Sequence, residues 1–393
     1  MRNLLFRILR KSAEVLRMNK CLKKTIYDPF RGAIRKRCLT FDYMLFFAAE
    51  KQQPDGDCEI ESDYQSPYPW KIGILRDPFL GHVPYCIACR ELNISYKVID
   101  IFATNWLHQV KVSGCDAFVA WPGECIQEWK RLYDDRLRYL TKELGKILYP
   151  DYDALWLYGS KERQRDWLEI NHFSHPKTWV FYRKEEGFAF LATAKFPVVA
   201  KVDIGACAHG VSIIRSKNEG ACLIERIFKS GVQGSYSDKP TYQWRHILLQ
   251  EHVGDVREWR IIRIGNSFFG YEKVKHGDFH SGTGLAVWAD PPKDALELLY
   301  QITERGKFRS MSMDVFQKPN GELLVNELQS VFGAYDTAQM YVNGVPGRYT
   351  RANGKYVFEE GRFCQNTCCN LRIEDLLNML KEREESKQKE ITP

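Results

Sequence analysis

Residues 311–329 read MSMDVFQKPNGELLVNELQ. Two apolar arms, Met311 to Gln317 and Glu322 to Glu327, flank the turn signal Pro319-Asn320-Gly321, so the stretch reads as a β-hairpin. Pairing about that turn brings Asp314 close to Glu327, and Gln329 follows on the second arm. Each acid interrupts an otherwise apolar strand. A buried acid without a partner is costly, so these two call for a cation or for hydrogen bonds. Two carboxylates and an amide oxygen are hard ligands of the kind Mg²⁺ takes between phosphates.

Two more constellations lie upstream. Phe196-Pro197-Val198-Val199-Ala200-Lys201 is an apolar strand ending in a lysine, and the loop Val202 to Val211 that follows is rich in small residues, among them Gly205 and Gly210. Small residues let a backbone approach a ligand, successive N–H groups make an anion nest, and the lysine adds a point charge for a phosphate. Taken singly, an ordinary hairpin with an exposed lysine is the better reading. It is neither G-x-x-x-x-G-K-[ST] nor G-x-G-x-x-G. Residues 248–260, LLQEHVGDVREWR, form an apolar strand that ends in polar residues and turns. Such an edge can offer backbone groups to an adenine rim, with Glu258 placed to take ribose hydroxyls; a surface strand with solvated charges is the alternative.

In order along the chain, the three constellations together resemble the ATP-grasp superfamily, which includes D-alanine–D-alanine ligase, glutathione synthetase and the RimK-like ligases. The third constellation, Asp314 and Glu327-x-Gln329, stands before Phe332-Gly333, and the resemblance covers about residues 155–335. It implies an α+β fold in which an open α/β pre-grasp domain precedes two α+β subdomains clamping ATP. It implies ATP and Mg²⁺, with two ions, as cofactors. Lys201 resembles the lysine on the α/β-phosphates, and Lys161 the earlier lysine upstream of Leu168, Pro176 and Thr178. Gly205 to Val211 resembles the flexible phosphate loop. Gln250, Glu251 and Val253 match the adenine linker, Glu258 the ribose acid, and Asp314, Glu327 and Gln329 the metal ligands. Arg260 and Lys273 fall where the family carries basic residues that could stabilise an acyl phosphate. The sequence departs from the pattern in having Gln329 for asparagine, Lys273 for arginine, His280 or Ser281 where asparagine is common, and Ala206, Cys207, Ala208 and His209 in place of loop glycines.

The rest of the chain organises around this region. Residues 1–69 read as a basic N-terminal helix and polar linker, 70–155 as the α/β domain, and 156–340 as the grasp (155–250 small lobe, 251–340 large lobe). Residues 341–393 read as an extension ending in a frayed, charged helical tail. In the α/β domain, Lys71 to Leu75, Tyr96 to Ile101, Val110 to Val112 and Ala117 to Ala120 read as strands, Pro84 to Leu92 as a helix, and Glu124 to Leu148 as one long helix. Alternation of this kind means parallel βαβ units. In the grasp half, strands are expected at Thr178–Tyr182, Val211–Ile214, Ile247–Val253, Arg260–Ile264 and Ser267–Lys273, with a helix at Asp294–Arg305.

The chain has 393 residues and a net charge of +7. Residues 1–38 hold 12 Lys/Arg against 2 Asp/Glu, while the remainder holds 45 against 48. The basicity is thus a property of one arm, and nucleic-acid binding by the body is not expected. Residues 1–24 form a basic amphipathic pattern: an interfacial anchor, a targeting peptide, or a solvated helix or arm. The first of these would place a cytoplasmic enzyme peripherally at the inner membrane face. The 12 dispersed cysteines and the lack of a secretory signal point to a reducing compartment. Cys86-x-x-Cys89 and Cys364-x-x-x-Cys368-Cys369 have spacings a zinc site could use, but the apolar run from Val83 to Ala88 favours thiols packed in a buried helix.

The implied function is an ATP-dependent ligase. A substrate carboxylate, on a small molecule or a peptide or glycan precursor, becomes an acyl phosphate that an amine or thiol attacks, with release of ADP and phosphate. The alternatives are a kinase on the same scaffold and a non-catalytic nucleotide-binding regulator. Self-association is expected by analogy. His209, His276 and His280 lie in loops near the site, where solvated histidines are the simpler reading.

Overall fold

The computed structural model describes residues 61–77, 81–123, 126–204, 210–233, 242–275, 277, 286–332 and 339–391. The basic stretch 1–24, most of the linker, Gly205, His209, His276, His280, Ser281 and Gly333 lie outside the described residues.

The first lobe is a sheet with helices between its strands: β1 (Asp63–Tyr64), β2 (Lys71–Leu75), α1 (Val83–Glu91), β3 (Ser95–Ile99), α2 (Trp106–Val112), β4 (Ala117–Val119), α3 (Gln127–Arg138) and β5 (Ile147–Tyr149). The strand order is β1-β3-β2-β4-β5. β2 pairs parallel with β3 and β4, and β4 with β5; only β1 is antiparallel. Ile72, Ile74 and Leu75 are fully buried, as a strand covered on both faces requires. Two expected elements differ. Val110 to Val112 belong to α2, where Val110 packs inward. The long helix stops at Arg138, passes through a π turn at Tyr139–Glu143, and gives way to β5. Gly145, at φ +60, takes the left-handed turn that ends it and frees Ile147 to Tyr149 to pair with β4.

The chain leaves β2 toward β3 on one side and returns to β4 on the other. The loops after β2 and β4 therefore flank the crevice at the switch point. Asp77 is buried there. Its carboxylate accepts N–H bonds from Gly81 (3.0 Å) and Gly123 (3.1 Å), and its own N–H donates to His82 Nδ1 at 3.1 Å. Burial, aided by the Arg76 charge, pulls the His82 imidazole down to about 4, so the ring stays neutral and can accept.

The second lobe follows α4 (Tyr152–Leu157) and α5 (Lys161–Ile170). It contains β6 (Thr178–Phe181), α6 (Lys184–Thr193), β7 (Val198–Lys201), β8 (Val211–Ile214), α7 (Lys217–Lys229), the short pair β9 (Val232–Gln233) and β10 (Tyr242–Gln243), and β11 (Ile247–Glu251). Its sheet, β6-β11-β7-β8, is antiparallel throughout. Leu191, Ile224 and Ile227 of the two helices cover Val198, Ala200, Ile247 and Leu249.

The third lobe holds β12 (Arg257–Ile264), β13 (Ser267–Lys273), β14 (Ala286–Val287), α8 (Lys293–Gly306), β15 (Ser310–Gln317), β16 (Leu323–Gln329), β17 (Met340–Val342), β18 (Val345–Ala352) and β19 (Lys355–Glu360). They form an eight-stranded antiparallel sheet ordered β16-β15-β12-β13-β18-β17, with β14 on β13 and β19 on β18. The sheet thus runs on past residue 340, where the sequence suggested an extension. The charged tail is also corrected. α9 (Gln365–Ile391) buries Cys369, Ile373, Leu376, Leu377 and Leu380 in the core of the first lobe. Its lysines and glutamates line the outer face, and the apolar stripe at helical spacing fixes the inner one.

Candidate active site

The 311–329 hairpin forms with Asp314 directly opposite Glu327 and Ser312 opposite Gln329. Gln329, two residues beyond Glu327, shares its face of β16. The register shifts after Asp314, where Val315 pairs with Val325, so Asn326 is the extra residue of a β-bulge. Asn326 then meets the second lobe: its Oδ1 accepts from Lys201 Nζ at 3.0 Å. The sequence reading did not single out Asn326. Its one signal is a polar residue in the apolar run Leu323 to Leu328.

Asp314 does not wait unpaired for a metal. Arg260, its partner across β12 and β15, donates from Nε (2.8 Å) and Nη2 (2.9 Å), and Lys273 Nζ donates at 2.5 Å. Lys273 also donates to Glu258 Oε1 at 2.9 Å, across the β12–β13 pair. Asp314 is 1 % exposed and Glu258 2 %. Burial alone would push the Asp314 carboxyl up; the Arg260 and Lys273 charges outweigh it and hold the group well below the usual carboxylate range. Burial and Arg260 press Lys273 down, and Asp314 and Glu258 more than restore it, leaving it raised. Glu258 therefore sits inside this ion cluster and not on an open rim.

The remaining predicted residues converge from the other side. Lys161 opens α5; its Nζ lies 3.9 Å from Glu327 Oε1 and donates to the Asp203 carbonyl at 3.3 Å. Lys201 ends β7. Gly210 closes the loop that follows, its carbonyl accepting from Val202 N–H at 2.9 Å. It sits at φ +75, and a Cβ there would meet Val202 Cγ2 at 2.3 Å, so the position requires glycine. Gln250 is buried and donates to Thr178 Oγ1 at 2.9 Å, while Glu251 Oε1 accepts the Lys177 N–H at 2.8 Å. Val253 lies two residues on, in the linker between β11 and β12. These three occupy the joint between the second and third lobes.

Burial pulls the Lys201 ammonium down to about 8; Lys161 adds to this, and Glu327, Glu258 and Asp314 oppose it. A base lowered on folding destabilises the fold below that value, and the cost is relieved as pH rises toward the ordinary value near 10.4. For an anionic ligand the consequence is direct. A polyphosphate that pairs with Lys201 should bind up to about tenfold more weakly per unit as pH rises above 8, and Lys201→Arg should flatten the profile; a titration between pH 7 and 9.5 checks this.

Cys86 and Cys89 pack in α1, and no group of three His, Cys, Asp or Glu side chains placed to hold a metal ion occurs among the described residues. Among them, too, no helix is long and apolar enough to cross a membrane.

No family model and no curated protein matches the sequence. Solved structures do match the fold. N5-carboxyaminoimidazole synthetase from Staphylococcus aureus, complexed with ADP, is similar with a TM-score of 0.50 and 16 % identity, over 72 % of this chain and 83 % of that one. An ADP complex of N5-carboxyaminoimidazole ribonucleotide synthetase gives 0.50 and 14 %, over 69 % and 72 %. A RimK domain ATP-grasp protein from Sphaerobacter thermophilus gives 0.47 and 15 %, over 66 % and 90 %. With an α/β lobe leading into two antiparallel lobes that face each other across the lysines and acids, the chain has the ATP-grasp fold.

Proposed function

We propose that this chain is an ATP-dependent ligase that activates a substrate carboxylate as an acyl phosphate. The observation that carries the reading is the meeting of Lys161 and Lys201 with Glu327 and Asn326, beside the buried Asp314 cluster. Lys161, Lys201, Arg260 and Lys273 outnumber Glu258, Asp314 and Glu327. That surplus of positive charge suits a polyphosphate arriving with its own metal better than a free divalent cation. Two structures of the same fold were determined with ADP.

The donor set fits Mg²⁺. Of the four lone-pair positions on the Asp314 carboxylate, Arg260 and Lys273 use three, leaving one on Oδ1. Glu327 and Gln329 supply further hard oxygens on the same strand. Magnesium, when bound with the nucleotide, would offset charge on the β- and γ-oxygens. In this reading Lys201 and Lys161 hold the phosphates. Arg260 and Lys273 keep Asp314 ionised and fixed, and the β11–β12 linker frames the base. The carboxylate takes the γ-phosphoryl group and ADP leaves; an amine then forms the C–N bond and phosphate departs. Catalysis is positioning and electrostatics, with no side-chain nucleophile.

The acceptor would enter at the switch-point crevice. The buried Arg372 guanidinium lies 5.1 Å from the Trp121 ring, beside that crevice, and 4.3 Å from Phe332, just past β16. One side chain thus spans from crevice to metal strand. The prior commitment of Asp314 to two cations favours one second reading, a nucleotide-binding module without turnover.

Product analysis decides between them. Incubation with Mg-ATP and pools of amines and small carboxylic acids should yield ADP and phosphate in step with one pool. ADP without phosphate would mean a kinase, AMP would refute the acyl-phosphate step, and Mg-ATP binding without turnover on any pool would favour the module.

A further inference from the structure

Asp203, two residues past Lys201, ties the phosphate loop to the opposite lobe. Its carboxylate accepts from Ser160 Oγ (2.9 Å to Oδ1, 3.1 Å to Oδ2) and from the Glu162 N–H at 2.8 Å. Its carbonyl accepts from the Lys161 N–H and from Lys161 Nζ, both at 3.3 Å. Its own N–H donates to Gln243 Oε1 at 2.5 Å. Every polar backbone and side-chain group of this residue is thus engaged, and most of the bonds run to the first turn of α5.

α5 belongs with the third lobe. Leu168 packs in that lobe's core, and Gln164 Oε1 accepts the Leu328 N–H at 2.9 Å, between Glu327 and Gln329. A continuous chain of bonds therefore runs from the loop root through Asp203, α5 and Gln164 to the strand that carries the acids. Ser160 caps α5 by accepting the Arg163 N–H at 3.3 Å, and Asp203 takes two further N–H groups of that turn, those of Lys161 and Glu162. This second acceptor is a carboxylate brought from 41 residues away, and so it also fastens the root of the loop to the helix. A charge at a helix N-terminus is favourable, and hydrogen bonds to an ionised group are the strong ones.

We propose that Asp203 is a positioning residue that couples the root of the phosphate loop to the metal strand, so that Lys161 and Lys201 are set as one unit. The proposal rests on the nucleotide reading above and adds to it the residue that aligns the two lysines. Without the carboxylate, α5 keeps its serine cap but the loop root is released, and the penalty falls on the phosphates and not on the base.

The test measures binding of ATP and of adenosine, each with Mg²⁺, to the full chain. Asp203→Ala should weaken ATP by about tenfold, the scale of one charge-assisted hydrogen bond, and leave adenosine within about twofold. Asp203→Asn, whose amide oxygen still accepts from Ser160 and Glu162, should recover most of the loss. Hydrogen exchange at the Glu162 amide should accelerate in Asp203→Ala. Ser160→Ala keeps the comparison if Asp203→Ala does not fold. Equal losses for ATP and adenosine, or no loss for either, would overturn the positioning role. Wild-type chain that binds neither ligand overturns the nucleotide reading instead, and unchanged Glu162 exchange in Asp203→Ala then overturns the coupling on its own.

Discussion

Replacing Glu327 with glutamine should lower Mg²⁺-dependent ADP formation by about a thousandfold, roughly 4 kcal/mol of transition-state stabilisation, with little change in thermal stability. Glu327 is partly exposed and lies 3.9 Å from Lys161, and the buried Lys201 that it supports keeps its bond to Asn326 Oδ1, so neutralising Glu327 leaves neither lysine without a partner. Asp314 is different. Arg260 and Lys273 both lean on its carboxylate in a site almost closed to water. Removing one partner of a buried ion pair costs about 3–5 kcal/mol, a large part of a domain's 5–15 kcal/mol. Asp314→Ala should therefore lose both activity and stability, so a paired acid at this position cannot serve as a neutral probe of metal binding. The pH dependence follows from the sign of the shift. The folded carboxyl sits below its ordinary value, so its contribution is complete above about pH 4 and is lost as pH falls through the folded value. Urea unfolding between pH 2.5 and 6 should show the acid-side loss in the wild type and a shallower one in Asp314→Asn. Full stability of Asp314→Ala at neutral pH would refute the ion cluster, and wild-type turnover in Glu327→Gln would refute the metal assignment.

The features legible in the sequence were those written in local pattern. The strand Ser267–Lys273 and the hairpin around Pro319-Asn320-Gly321 follow from alternation and turn chemistry, and the pairing of Asp314 with Glu327 follows from the turn. The place of Lys201 at the end of β7 was legible for a similar reason, as a charge that closes an apolar strand. The missed features depend on where separate segments meet. Asn326 enters the site through a bulge, which is a property of the register between two strands and not of either one. The Arg260–Asp314 and Lys273–Glu258 pairs join adjacent strands whose order in the sheet is not written in any one of them. Asp203 read as one more loop residue because its partners lie on α5, which no local signal connected to the loop. α9 was misread because ten of the twelve residues from Leu380 to Ile391 are charged or polar, which hid the stripe from Cys369 to Leu380.

Ending the chain at Cys364 should abolish cooperative unfolding of the first lobe. The deleted helix buries Cys369, Ile373, Leu376, Leu377 and Leu380 against it. At about 1.5–3 kcal/mol for each large apolar side chain, the four aliphatic residues alone contribute roughly 6–12 kcal/mol, which matches the stability of an entire domain. Polar ties add to this: Tyr149 Oη donates to Asp375 Oδ2 at 2.9 Å, Arg309 holds the same carboxylate through two bonds at 2.7 and 3.0 Å, and Trp70 Nε1 donates to Glu384 Oε1 at 3.0 Å. Arg309 stands at the start of β15, so the helix fastens the strand that bears Asp314 as well as the α/β lobe. Ile373→Ala, the minimal version, should cost about 2–5 kcal/mol, whereas Lys381→Ala on the outer face should stay within about 0.5 kcal/mol. Denaturant unfolding followed by tryptophan fluorescence, with Trp70 and Trp121 in the affected lobe, reads all three. If the shortened chain unfolded at the wild-type midpoint, α9 would be an appendage; loss of the transition makes it part of the first lobe's core, so that the α/β lobe and the site strand become stable only once this helix has docked.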